Sequence, residues 1–220
     1  VNRRMNANIL KESQKHHDII QEDFIDAYRN LSYKGVMGLK WATSFCENVT
    51  FILNIDDDVF LNLPNVVEVI QNMQLRGIQQ NLLLCNLMSN TPPIRDPTGE
   101  LSKWYVSRKE FKPDIYPDYC SGMFILYSKD VAASIYKASL DEPFFWVDDV
   151  YITGILAAKA GIDHTVPNKT IGMENYDFNL DKSDMNKFLS VANVNDMYAY
   201  WGKFKKQFYS NVKIKGKMLF

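Results

Sequence analysis

Cysteine is scarce in this chain. Cys46, Cys85 and Cys120 are the three present, and no two form a CxxC pair. That argues against a structural zinc site. One disulfide with a free thiol and three reduced thiols both fit the count. An excess of one charge is also missing: 25 Lys and Arg meet 26 Asp and Glu, for a formal net charge of −1. Nothing in that balance points to DNA, RNA or an anionic membrane as a partner. No apolar run is long enough to cross a bilayer, and no signal peptide stands at the start. GxGxxG, Walker, HExxH and GxSxG patterns are absent. His16 and His17 are adjacent and cannot share a helix face, so they read as surface residues. His164 reads as a polar residue at a loop–strand junction.

What is present is an ordinary globular balance, with 46% hydrophobic and 23% charged residues over 220 positions, enough for one domain. Aromatics reach 13%, and they pack cores and also line sugar sites. Asn30-Leu-Ser32, Asn48-Val-Thr50 and Asn168-Lys-Thr170 are glycosylation sequons and lean toward the secretory pathway. The chain begins at Val1, which reads as an excised or incomplete chain.

Strands and helices alternate, which predicts an α/β layer fold. Between Ile9 and Tyr28 the later apolar positions, Phe24, Ile25 and Tyr28, have helical spacing. Tyr33, Val36, Met37, Trp41 and Phe45 predict an apolar helix stripe. Thr50 to Ile55, Leu82 to Cys85 and Met123 to Tyr127 read as buried strands. Asn65 is a candidate cap for a helix ending at Gly77. Residues 88–118, rich in proline around a strand-like "KWYVS", read as one long functional loop. Lys129 to Ala138 predicts a helix. The clearest helix runs from about Val147 to Ala160, with Val147, Val150, Tyr151, Gly154, Ile155 and Ala158 on one face. A last helix starts near Asp196 and carries Met197, Trp201, Phe204 and Phe208.

Two acidic motifs carry the chemistry. Asp56, Asp57 and Asp58 follow a predicted strand, where ligands of open α/β sheets bind. Adjacent carboxylates repel and are costly to desolvate. Alternation along an extended segment would turn Asp56 and Asp58 one way and Asp57 the other. A divalent cation between the first two, Mn²⁺ or Mg²⁺, relieves the repulsion and brings phosphate with it. The simpler reading is an acidic turn before a helix, but the apolar flanks favour the metal. Asp148 and Asp149 open the clearest helix. There they complement its dipole, or they lie beside the core as a general base.

"DIIQEDFIDAYRNLSYKGVMGLKWATSFC", "FILNIDDDVFLN", "KWYVSRKEFKPDIYPDYCSGMFILYS" and "FFWVDDVYITGILAAKAGI" cover most of residues 18–162. In this order they resemble the β-1,3-glycosyltransferase family of galactosyltransferase and Fringe-like enzymes. The resemblance implies a glycosyltransferase A-type α/β/α sandwich with a mostly parallel central sheet, filling residues 1–220 as a single catalytic domain. It implies a UDP-sugar donor and a glycan acceptor. Asp58 is then the principal Mn²⁺ ligand, with Asp56 as a second metal contact and Asp56 and Asp57 near the nucleotide. Asp149 matches the family's base, which deprotonates the acceptor hydroxyl for attack with inversion. Gly122 lets backbone approach the donor or makes a tight turn. Trp104, Tyr105, Tyr119, Trp146 and Asp148 are candidates for the sugar sites, with core packing an equal reading for each aromatic.

Three departures from the family pattern are visible. Asp148 stands where the family has Glu. The family's metal-binding His is missing from "FLSVANVNDMYAYW", where Asn193 is a substitute candidate. The family's first strand lies upstream of Val1. The expectation is a hexosyltransferase of the Golgi lumen whose type II anchor also lies upstream. The alternatives are a non-catalytic lumenal relative that binds glycan or a partner protein, and a metal-dependent phosphohydrolase.

Overall fold

The computed structural model describes residues 3–166, 172–174, 188–191 and 196–215. Its central sheet takes shape around one long strand. β1 (Phe51–Asn54) and β3 (Leu83–Met88) both pair antiparallel with β4 (Tyr119–Ser128), in the order β1-β4-β3. β2 (Phe60–Leu61) pairs antiparallel with β6 (Phe188–Val191), which pairs parallel with β5 (Gly172–Glu174). Six helices accompany them: α1 (Arg3–His16), α2 (Leu31–Phe45), α3 (Leu63–Leu75), α4 (Lys129–Ser139), α5 and α6 (Met197–Lys215). α5 begins at Asp148 and is π-helical over Val150–Leu156 before an α-helical end, Ala157–Lys159. No described helix is long and apolar enough to cross a membrane.

The sheet corrects one expectation. The family resemblance implies a mostly parallel central sheet, and among the described residues the sheet of β1, β4 and β3 is antiparallel. β1, α3 and β3 do form a strand–helix–strand crossover, so β1 and β3 run parallel to each other. β4 enters between them and reverses both pairings. β4 can take that place because "MFILYS" is buried throughout, as a strand covered on both faces must be.

Strand periodicity sends the β4 side chains to opposite layers. Ile125 and Tyr127 join Val36 and Leu39 of α2, Val131 and Ile135 of α4, and Val150 and Leu156 of α5. Phe124 and Leu126 join Val66 of α3, with Val69, Ile70 and Met73 packed alongside. The result is three layers, α/β/α. Packing on both faces requires apolar residues at odd and even positions alike, and β4 supplies them.

Two helices differ from their patterns. In α2 the buried residues are Ser32, Val36, Leu39 and Ala42, while Trp41 and Phe45 are exposed. Close approach decides that face. A Cβ on Gly35 would overlap the Ile152 side chain, so α2 turns its small residues toward α5. In α5, Val150 through Gly154 are all buried, along with Leu156 and Ala157. An enclosed helix has no single apolar face, and Ile155 and Ala158 are its more exposed positions. α3 is capped by Asn62, whose side chain accepts the Asn65 N–H at 3.4 Å, and not by Asn65. Residues 18–27 are irregular before a 3₁₀ turn, Tyr28–Asn30.

Cys85 and Cys120 form a disulfide across β3 and β4, with Cα atoms 5.5 Å apart, and Cys46 is free. It closes the long loop between those strands. Arg95 organises that loop from within, donating to the carbonyls of Val106 (2.8 Å), Phe111 (2.9 Å) and Pro113 (2.7 Å). "KWYVS" forms a 3₁₀ turn, Ser102–Trp104, and one bridge from Tyr105 to Ile94 rather than a strand. Replacing Cys85 and Cys120 with alanine is expected to cost about 2–4 kcal/mol of stability. Urea unfolding measures it, and an unchanged midpoint would refute the clamp.

Candidate functional site

β1 ends at Asn54, and the chain turns at once. The Val59 N–H donates to the Asp56 carbonyl at 3.2 Å, so Asp57 and Asp58 occupy a tight turn. The strand-like alternation expected for these aspartates is therefore replaced by a turn, the simpler of the two backbone readings. β2 and α3 follow directly, with Val59 and Phe60 buried beneath the turn. The apolar flanks thus anchor the turn, and its carboxylates stay solvent-exposed at one end of the sheet.

Asp149 reaches the same place from another direction. It sits at the start of α5, whose buried body packs on β4. Its Oδ2 accepts the Gly122 N–H at 3.0 Å. A Cβ built on Gly122 would stand 3.0 and 3.2 Å from the two Asp149 carboxyl oxygens and 3.1 Å from Asp56 Oδ2. Gly122 is therefore the floor beneath two carboxylates, and its missing side chain is what lets them converge.

The carboxylates feel one another. Burial raises Asp149 first, then the charges of Asp148 and Asp56, and the Gly122 N–H only partly offsets them. Its pKa is pushed up to about 8. Asp56 is raised to about 6 by desolvation and by the charges of Asp58, Asp148 and Asp57. Asp148 is raised mainly by desolvation. Among the described residues, no ion pair involves any of these five carboxylates. Such a set lacks a counter-charge, and its all-oxygen donors match the chemistry of a hard divalent cation. No group of three or more candidate metal ligands is assembled among the described residues. A cation there would take one or two carboxylates and complete its shell with phosphate oxygens and water. Asn193 lies outside the described residues.

The expected aromatics divide. Tyr119 is beside the carboxylates: its phenol bonds Thr91 and feels the Asp149 charge. Trp146 is buried, with the Arg29 guanidinium 4.2 Å from its ring centroid. Arg29 also pairs with Glu110 at 2.8 Å and donates to the Tyr105 carbonyl at 3.5 Å. Trp104 is exposed, with the Lys103 ammonium 5.3 Å from its ring. Trp104, Tyr105 and Trp146 thus gather around Arg29 and Lys103, and the core-packing reading fits Trp146. An open depression of about 380 Å³, lined by Thr50, Gln79, Gln80 and Lys129, lies at the opposite end of β1 from Asp56.

Sequence reasoning missed Thr153. It is fully buried, and its Oγ1 donates to the Asp149 carbonyl at 2.6 Å and accepts the Cys120 N–H at 2.9 Å. Its place four residues after Asp149, in an otherwise apolar stretch, was the available signal.

A family model for galactosyltransferases matches residues 1–168. The chain belongs to the galactosyltransferase family. Among curated members, rat lactosylceramide 1,3-N-acetyl-beta-D-glucosaminyltransferase is 37% identical over 155 residues, 70% of this chain and 40% of the relative. The human protein of that name is 38% identical over 152 residues, covering 69% and 39%. Mouse beta-1,3-galactosyltransferase 1 is 37% identical over 158 residues, covering 72% and 47%. The chain thus spans less than half the length of these family members. The matched region includes all five clustered carboxylates and Gly122.

A carboxyl held well above its unfolded value near 3.9 binds a proton more tightly in the folded state. Stability is then lost as pH rises from the unfolded value toward the folded one. The metal-free chain should melt lower at pH 8.5 than at pH 5, and Asp149→Asn should narrow that gap. An unaltered gap in differential scanning fluorimetry would refute the raised Asp149.

Proposed function

We propose that the chain is the catalytic portion of an inverting β-1,3-hexosyltransferase of glycosyltransferase A-type fold. It transfers galactose or an N-acetylhexosamine from a UDP-sugar to a glycan hydroxyl. The observation that carries this is the convergence of Asp56 and Asp149 over Gly122. Family membership and the activities named for the relatives support the reaction class.

In this reading Asp149 removes the proton from the acceptor hydroxyl. Its raised pKa suits a base that must hold a proton near neutral pH. The Gly122 N–H fixes which oxygen faces inward. Asp148 keeps Asp149 basic through its like charge. Asp58, with Asp56, would hold Mn²⁺ or Mg²⁺, which when bound stabilises charge on the departing diphosphate. Asp57 lies near the nucleotide. Gly122 keeps the floor low enough for the donor. Tyr119 borders the site, Trp104 and Tyr105 are assigned to the outer acceptor side, and Trp146 supports them from the core. The enzyme would work on the lumenal side of the Golgi.

A second reading is a lumenal relative that binds glycan or a partner protein without transferring sugar. Asp148 in place of the family's Glu, and the lack of a His in "FLSVANVNDMYAYW", favour it. Calorimetry of UDP with and without Mn²⁺ separates the two. Binding that needs both Mn²⁺ and Asp58, and is lost in Asp58→Asn, supports the enzyme. No UDP binding by the folded chain removes it.

For the active chain, Asp149→Asn should lower kcat by about 10²–10⁴ while UDP binding persists. The acid limb of kcat/KM should lie well above the ordinary carboxylate range. Asp148→Asn should move that limb to lower pH, because the charge that raises Asp149 is gone. A limb that stays in place would remove Asp148 from the role given to it.

A further inference from the structure

We propose that Thr153 is a positioning residue for Asp149, with His164 supporting it from behind. This deepens the reading of Asp149 as the base and rests on it. Three segments meet at Thr153. Its hydroxyl donates to the Asp149 carbonyl at 2.6 Å, and the same oxygen accepts the Cys120 N–H at 2.9 Å. Its own carbonyl lies 2.7 Å from His164 Nε2. The next residue, Thr165, is fastened to β3: its N–H donates to Leu83 at 2.7 Å, and its carbonyl accepts the Cys85 N–H at 3.2 Å. The Thr153 side chain therefore ties the start of α5 to the start of β4, and its backbone carbonyl reaches β3 through His164 and Thr165.

That geometry bears on the base. Asp149 is oriented by the Gly122 N–H, and this bond holds only while the start of α5 keeps its place against β4. Thr153 supplies the second bond across the same junction, two residues before Gly122 on β4. Cys120, its partner there, is also disulfide-bonded to Cys85, so the strand end is fixed from both sides. Thr153 lies within the π-helical stretch Val150–Leu156, a winding that is rare and is frequent at functional sites. Loss of the hydroxyl would leave the buried Cys120 N–H unsatisfied and free Asp149 to shift relative to Gly122. Displacements of that kind cost rate more than affinity.

The test uses the full chain carrying Thr153→Val, Thr153→Ser or His164→Ala. Two readouts are taken: amide hydrogen exchange at Gly122 in the substrate-free protein, and steady-state kinetics. Thr153→Val should speed Gly122 exchange about tenfold and lower kcat about tenfold, with the donor KM within about twofold. Thr153→Ser keeps the hydroxyl and should restore both. A folded Thr153→Val chain with wild-type Gly122 exchange and kcat would overturn the proposal. Should Thr153→Val fail to fold, His164→Ala decides: faster Gly122 exchange supports the brace, and unchanged exchange overturns it. Asp149→Asn separates the two levels. Retained turnover in that variant would remove Asp149 as the base, while Gly122 exchange would still report on Thr153.

Discussion

The hydrogen bond from the Gly122 amide to the Asp149 carboxylate joins the two halves of the candidate site. One partner is backbone in the central strand, and the other is the first turn of the most buried helix. Strand β4 must therefore be covered on both faces, and α5 must be enclosed on all sides, for a single 3.0 Å contact to stay in place. Much of the fold serves that requirement. α2 presents its small residues to α5, and the Cys85–Cys120 disulfide fixes the end of β4 that carries Gly122.

The same contact explains the electrostatics. Five carboxylates are gathered with a few backbone N–H groups to bond them, and none of the five has an ion-pair partner among the described residues. Folding by itself gains nothing from that arrangement, since desolvation and like charge both oppose it. The tension is typical of a site kept for its chemistry at some cost in stability. The hydrophobic layers beneath carry that cost: Val59 and Phe60 anchor the acidic turn, and Val150 anchors the start of α5.

How much of this was legible in the sequence depended on which physical rule decided each element. Strand and helix positions followed local pattern and were close, because buried strands announce themselves by continuous apolar runs. The acidic motifs were also legible, because carboxylates between apolar runs conflict with simple burial. The strand order was not. β4 is inserted between β1 and β3 by long-range pairing, which no local period records. The face of α2 was misread for a similar reason. Its largest apolar residues suggested Trp41 and Phe45 as buried, but the helix turns on how closely Gly35 can approach Ile152 of α5, with Ser32 bonded to the Phe145 carbonyl just before it. Alternation at Asp56–Asp58 failed because a turn begins one residue earlier than the pattern implies. Thr153 escaped notice because a lone threonine in "VYITGIL" looks like a strand-former or a core filler; only its bonds to two backbone groups give it a role.

The shift from strand to turn at Asp56 bears on how the aspartates share their work. In an extended strand, Asp56 and Asp58 would point the same way and Asp57 would be lost to the other face. In a turn, successive side chains fan outward from one corner, and all three remain on the open side. Asp56 alone is drawn down toward Gly122 and Asp149, and its pKa is correspondingly raised to about 6. Asp57 and Asp58 stay farther out, where hydration offsets their repulsion. The arrangement therefore separates one inner carboxylate, coupled to the base, from two outer ones open to a solvated ligand. The exposure of Asp58 is compatible with the cation role proposed for it, and Asp56 is the carboxylate that meets Asp149 over Gly122. Asp56→Asn would remove the inner charge that raises Asp149 while leaving the outer carboxylates in place, so the inner and outer positions of the acidic turn can be tested separately.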